Sequence, residues 1–368
     1  MVEMLGKGRR ALVTGAGGFI GHHLVRRLKD EGFWVRGVDV KLPQFEPSAA
    51  DEFQVADLRF FENCSAAVED IEDVYQLAAD MGGIGYITQN HATLSRNNIL
   101  INSHMLEAAR CGKAKRYFYS SSACVYPAHL QNETGFRGLR ESDAIPANPE
   151  KGYGWEKLFA EELTSYYHEE YGLDARIVRF HNIYGPLGTY EGGREKAPAA
   201  ISRKVAEAKP GDTIPVWGDG LQTRSFCYIA DCVEGIRRVM ESGEHRRLNL
   251  GSEELVTVDR LVDMVCEIAG KRLRKIHDVN RPQGVRGRNS DNSLLRSVLN
   301  WEPPTALHDG LAITYEWIWG ELELKGQARP PKPVTLTPPA VVVHANGSLL
   351  GTRPTVAGML PTAVQTQH

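Results

Sequence analysis

The segment "ALVTGAGGFIGHHLVRRLKDEGFWVRGVD", residues 11–39, constrains this chain more than any other. An apolar run from Ala11 to Val13 predicts a strand. Gly15, Gly18 and Gly21 follow as G-x-x-G-x-x-G, and Phe19, Ile20, Leu24, Val25 and Leu28 recur at helical spacing. A second strand pattern ends in Asp39, 21 residues beyond Gly18. A glycine turn at a helix mouth lets backbone approach a ligand closely and offers N–H groups, with the helix dipole, to a pyrophosphate. A carboxylate at the end of the next strand suits the ribose hydroxyls of NAD and repels the extra phosphate of NADP. The expectation is a dinucleotide site for NAD, with Phe19 and Ile20 at the start of the helix beside it.

The alternation continues. "EFQVAD", "EDVYQLAA", "RYFYSSS" and "DARIVRF" read as strands, with "NNILINSHMLEAARC" and "GWEKLFAEELTSYYHEEY" as helices between them. This predicts an α/β fold, a Rossmann-type doubly wound parallel sheet. After Phe180 the chain is rich in glycine, "HNIYGPLGTYEGGREKAP", a loop leaving the carboxyl end of a strand, where such sheets bind ligands. A smaller C-terminal α/β substrate domain is expected from there. The boundaries read as 8–186 plus 221–252 for the dinucleotide domain, 187–220 plus 253–328 for the substrate domain, and a proline-rich tail over 329–368.

With 368 residues, 42% of them hydrophobic, the chain can build both cores. A net charge of −3 argues against nucleic-acid or membrane-surface partners, and no run reaches the roughly 18 apolar residues of a membrane span. The twelve histidines lack close pairing, so no metal is expected. Six scattered cysteines without C-x-x-C read as reduced thiols of a cytoplasmic protein, and "MVEMLGKGRRALVTG" shows no leader-like apolar stretch.

"YGWEK" places Tyr153 and Lys157 four residues apart on one helix face, about 30 residues beyond Ser122 at a strand end. An ammonium nearby stabilises a phenolate, so the tyrosine can serve as a base, sharing an alcohol proton with the serine. Taken alone, Tyr-x-x-x-Lys is common on helices; its place downstream of the glycine loop gives it weight. Cys124 stands two residues beyond Ser122, which on an extended strand puts both side chains on one side.

Over residues 9 to about 320 the chain resembles the extended short-chain dehydrogenase/reductase family, which acts on nucleotide-sugars. The resemblance implies Asp57 near the adenine and the "LAAD" loop, Leu77, Ala78, Ala79 and Asp80, under the cofactor. It makes Tyr153, Lys157 and Ser122 the hydride-transfer group and implies a homodimer through the helices starting near Asn90 and Gly152. "LAADMGGIGYI", "SSACVYP", "RFHNIYGPLGT", "GGREKAPAA", "WGDGLQTRSF" and "GVRGRNSDN" are similar to the branch that epimerises GDP-mannose at carbons 3 and 5. That branch implies Gly82, Ser122, Ala123, Cys124, Asn182, Glu195, Lys196, Ala197, Lys204, Gln222, Thr223, Arg224 and Arg288 against the GDP-hexose. Lys204, Arg224 and Arg288 are cations suited to a diphosphate.

The chemistry is consistent with this. Oxidising carbon 4 to a ketone acidifies the hydrogens on carbons 3 and 5; inversion then needs a base on one ring face and an acid on the other. Cys124, with a thiol easily tuned toward neutrality by a cation, and Lys196, whose pKa falls on desolvation, are the candidate pair. A nucleotide-sugar 4-epimerase would need only Tyr153, Ser122 and Lys157. A 4,6-dehydratase would carry Asp-Glu where this chain has Ala123-Cys124, and a non-catalytic NAD-binding regulator would have lost the tyrosine or lysine.

Overall fold

The computed structural model describes residues 5–135, 137–281 and 284–333. In chain order the elements are β1 (Arg10–Thr14), α1 (Phe19–Asp30), β2 (Trp34–Asp39), β3 (Glu52–Val55), α2 (Phe61–Ala67), β4 (Asp73–Gln76), α3 (Ile84–Gln89), α4 (His91–Cys111), β5 (Arg116–Ser122), α5 (Tyr153–Tyr171), β6 (Asp174–Phe180) and β7 (Ile183–Tyr184). Then follow α6 (Ala197–Glu207), β8 (Thr213–Trp217), β9 (Thr223–Ser225), β10 (Cys227–Tyr228), α7 (Ile229–Glu241), β11 (Leu248–Leu250), β12 (Leu255–Thr257), α8 (Val258–Ala269), β13 (Arg274–Asp278), β14 (Gly287–Arg288), α9 (Ser293–Leu299) and α10 (Leu307–Leu324).

Seven strands form one parallel sheet in the order β11-β6-β5-β4-β1-β2-β3. The order reverses between β1 and β4, and at such a switch point the loops leaving neighbouring strands part to open a crevice. Alternation along the strands fills a core on each face. Ala11 and Val13 of β1 and Phe118 of β5 pack with α1 and α7 through Leu24, Val25, Leu28, Ile236 and Met240. Leu12, Tyr117 and Tyr119 point the other way, onto Met105, Leu106 and Ala160 of α4 and α5. The fold class read from the sequence is therefore the one observed.

A further core gathers α6, α8 and α10 through Ile201, Val205, Leu261, Val265, Leu311 and Ile318. Beside it lie two small sheets, β12-β9-β14 and β13-β8. The packing interleaves more than cuts at 187, 221 and 253 imply. Thr223–Ser225 pairs with β12 and β14, while Leu295 and Trp301 pack into the core under the large sheet. Most of the expected tail, from 334 to 368, lies outside the described residues.

Candidate active site

Loops leaving the carboxyl ends of β1, β4, β5 and β6 build the site. Gly18 begins α1 with no side chain capping the helix, and Gly15 lies against the backbone of Leu77 and Ala78. A Cβ at Gly21 would stand 2.2 Å from the Gly15 carbonyl oxygen, and one at Gly17 would stand 2.1 Å from that of Lys41. Gly17 also donates its N–H to Asp39 Oδ2 at 3.0 Å, with Lys41 N–H on the other oxygen at 3.2 Å. Burial raises the Asp39 carboxyl pKa, and these N–H bonds oppose the rise. A cleft over the loop is lined by Gly17, Gly18, Phe19, Lys41, Leu187 and Thr189. Uncapped helix N–H groups, a backbone with no room for side chains and an acceptor at the end of β2 fit a dinucleotide.

Thr14 locks this cradle to the next loop: its Oγ1 accepts from Leu77 N and Ala78 N at 3.0 and 3.1 Å and bonds Gln76. From Gln76 the network continues to Asn102 at 3.1 Å, and Asn98 and Asn102 both donate to Glu156 on α5. Asn98 also holds the backbone of Asp80. Asp57 is less committed to the cradle; its carboxylate is gripped by Arg59.

Ser122, Tyr153 and Lys157 come together where β5 meets α5. Tyr153 is 4% exposed and Lys157 1%, and Ser122 lies beside the Tyr153 hydroxyl. Lys157 Nζ donates to Ser120 O at 2.9 Å and lies 5.6 Å from the Tyr153 ring centre. The expected lowering of the tyrosine pKa is not what this arrangement gives. Burial pushes the phenol well above its usual value, with Glu156 and Cys124 adding to the rise, and burial lowers Lys157.

The geometry at Cys124 also differs from the sequence reading. β5 stops at Ser122, and Ala123–Val125 forms a 3₁₀ turn. Cys124 is therefore not on a strand. Ser122 Oγ accepts the Cys124 N–H at 3.2 Å, a capping contact that folds the chain back, and Cys124 packs with Tyr153, Ile87 and Leu94. Arg288 Nη1 reaches the sulfur at 3.6 Å. Its Nε donates to Gln131 at 2.6 Å and its Nη2 pairs with Glu150, whose N–H in turn donates to Cys124 O at 3.1 Å. Burial and Glu150 raise the thiol, while Arg288 and Ser122 pull it down; the net direction is up, opposite to the expected tuning.

Lys196 caps α6 and interacts electrostatically with Cys124. It is exposed at the surface, and desolvation by the surrounding protein lowers its ammonium pKa. Gly83 lies against the Arg194 and Glu195 backbone, and Arg194 stacks 4.1 Å over Tyr86, so the loop carrying Gly82 meets the loop carrying Lys196.

Ala123 is buried in the turn, and Ala197 opens α6. Arg224 neighbours Arg288 across paired strands, and burial with that repulsion lowers it to about 10. Other implied residues are engaged within the protein: Asn182 with Ser225 O at 2.9 Å, Glu195 with Gly193 N at 2.7 Å and Lys204 with Pro215 O at 3.0 Å. Gln222 donates to Trp217 O and Thr223 to Thr134 O, each at 2.7 Å. The sequence reading missed Gly17, Glu150 and Gln131. Gly17 was visible as a fourth glycine in the loop; the other two carry no local signal. Among the described residues no cluster of His, Cys, Asp or Glu could hold a metal, and no helix is long and apolar enough to cross a membrane.

Comparison with known proteins agrees with this geometry. The pattern of the NAD dependent epimerase/dehydratase family matches residues 11–251. GDP-mannose 3,5-epimerase of Arabidopsis thaliana is 49% identical over 313 residues, 84% of this chain and 82% of the relative. GDP-mannose 3,5-epimerase 1 of Oryza sativa subsp. indica is 47% identical over 316 residues, 85% and 82% of the two chains. Among solved structures, UDP-glucose 4-epimerase of Thermotoga maritima superposes with a TM-score of 0.77 at 25% identity, covering 85% of this chain and 99% of that one. UDP-glucuronic acid 4-epimerase of Bacillus cereus, solved with UDP-glucuronic acid and NAD, has a TM-score of 0.73 at 27% identity, covering 85% and 99%. The chain belongs to the NAD dependent epimerase/dehydratase family.

Proposed function

We propose that this protein epimerises GDP-mannose at carbons 3 and 5, forming GDP-L-galactose and GDP-L-gulose through a transient 4-keto sugar. The observation that supports the reading is that the Cys124 thiol packs in one cluster with Tyr153 and lies within electrostatic range of the Lys196 ammonium. A 4-epimerase has no use for that pair.

Gly15, Gly17, Gly18 and Gly21, with Asp39, would hold NAD. Bound there, NAD would supply a hydride acceptor that later returns the hydride. Tyr153 takes the carbon 4 hydroxyl proton, Ser122 holds that oxygen, and Lys157 supplies positive charge behind the phenolate. Cys124 withdraws the proton from carbon 5; Lys196 delivers one from the opposite ring face, and the same pair serves carbon 3. Arg224 and Arg288 add positive charge on the substrate side.

The working form on this reading is a cytoplasmic homodimer. Trp155, Phe159 and Tyr166 are about half exposed along one side of α5, with Ile99 exposed on the adjoining α4, and a contiguous apolar stripe of this kind favours a second copy as its cover. All six cysteines are unpaired, which favours a reducing compartment.

The test is incubation of the purified protein with GDP-mannose and, separately, with UDP-glucose, with the products resolved by chromatography and NMR. The reading expects GDP-L-galactose and GDP-L-gulose from the first and no turnover of the second. Conversion of UDP-glucose to UDP-galactose would replace it.

A further inference from the structure

Arg288 has two partners besides Gln131, and they carry opposite consequences for the chemistry. One side of its guanidinium meets the Cys124 sulfur at 3.6 Å; another forms an ion pair with Glu150. Cys124 and Arg288 are buried, Glu150 is partly buried beside them, and Gln131 Oε1 fixes the guanidinium by a 2.6 Å bond to Nε. Glu150 is tied to the same turn through its N–H to Cys124 O at 3.1 Å, so carboxylate and thiol are held as one unit around the cation.

We propose that Glu150 is a positioning residue for the Cys124 step: it clamps Arg288 against the sulfur and, as a second counterion, limits how strongly that guanidinium holds the thiolate. The inference rests on the reading of Cys124 as the base. When the thiolate takes the proton from carbon 5, an S–H bond forms, the C–H bond breaks, and the electron pair passes into the enolate of the 4-keto sugar. Arg288 then loses one of its two anionic partners, and Glu150 remains to balance it. A buried cation left without a counterion is strongly unfavourable. A thiolate paired with Arg288 alone would be more populated at neutral pH but a weaker base, because basicity falls with pKa. The other charged or titratable groups facing the sulfur are Tyr153 and Lys157 from α5, Lys196 from the start of α6 and Arg224 from β9.

The test is the pH dependence of iodoacetamide alkylation at Cys124 in the NAD-loaded protein, read by mass spectrometry of the Cys124 peptide. Exposed Cys111 serves as an internal reference whose midpoint should not move. Glu150→Gln should shift the Cys124 midpoint to lower pH while lowering the epimerisation rate, with an unchanged unfolding temperature to separate the shift from a loss of the burial that raises the thiol. Arg288→Gln should shift it to higher pH, and Arg288→Lys, which keeps the charge, should shift it less. Unmoved midpoints, or shifts of the same sign in Glu150→Gln and Arg288→Gln, would overturn the proposal. Full epimerase activity in Cys124→Ala would instead overturn the assignment of the base, and the alkylation result would still report whether the three groups are coupled.

Discussion

Tyr153 and Cys124 sit in one small cluster with Ile87 and Leu94, yet they are assigned separate steps, so mutation should separate them. Tyr153→Phe should abolish both epimerisation and the 340 nm absorbance seen on mixing with GDP-mannose, with nucleotide-sugar affinity by calorimetry largely kept; normal turnover would remove Tyr153 from the first step. Cys124→Ala should still show that absorbance but lose epimerised product by on the order of 10²–10⁴, the worth of a general base. A loss under tenfold would return the cysteine to a packing role. Lys196→Ala should also lose product. The identity of these residues was legible in the sequence because each falls in a short, chemically distinctive string. Their local geometry was not. Nothing in "SSACVYP" says that β5 ends at Ser122 and that a capped 3₁₀ turn, rather than strand pleat, presents the thiol. Burial, which sets the direction of the Tyr153 and Cys124 shifts, is likewise a property of the assembled core.

Among elements, the join between the glycine loop and α1 has no room for a side chain. Gly21→Ala would drive a Cβ onto the Gly15 carbonyl, at a cost of about 1–3 kcal/mol for overpacking. The expected outcome is a lower unfolding temperature and less NAD recovered by chromatography of the denatured protein; full NAD content would contradict it. On α5, burial raises Glu156 from 4.5 to about 7, with Lys157 and Asn98 opposing. A raised carboxyl pKa means the folded state holds more protons than the unfolded one between pH 4.5 and 7, so this group's contribution to stability is lost as pH rises through that window. Glu156→Gln should gain stability relative to the wild type as pH rises from 5 to 8, by about 3 kcal/mol at most. Parallel urea-midpoint curves for the two proteins would contradict this. The strands β5 and β6 were readable because their apolar runs are long and bounded by turns. β9 was not, because three residues carry no periodicity and its partners, β12 and β14, lie about 30 and 60 residues further along the chain. The Glu150–Arg288 pair, 138 residues apart, is invisible for the same reason.

For the whole molecule, the exposed stripe on α5 should hold two copies together. Trp155→Glu combined with Phe159→Glu should halve the mass measured by light scattering; an unchanged mass would place any interface elsewhere. The parallel sheet followed from the alternation of strands and helices, whereas its strand order and the packing of Leu295 and Trp301 under it required long-range contacts that a linear reading does not contain. The central claim is that oxidation at carbon 4 serves proton exchange at its two neighbours. It is tested most directly by turning over GDP-mannose in deuterated water and locating the label in the sugar by NMR. The account predicts deuterium at carbons 3 and 5 and none at carbon 4. Inversion at carbon 4 with no label at carbons 3 and 5 would contradict it.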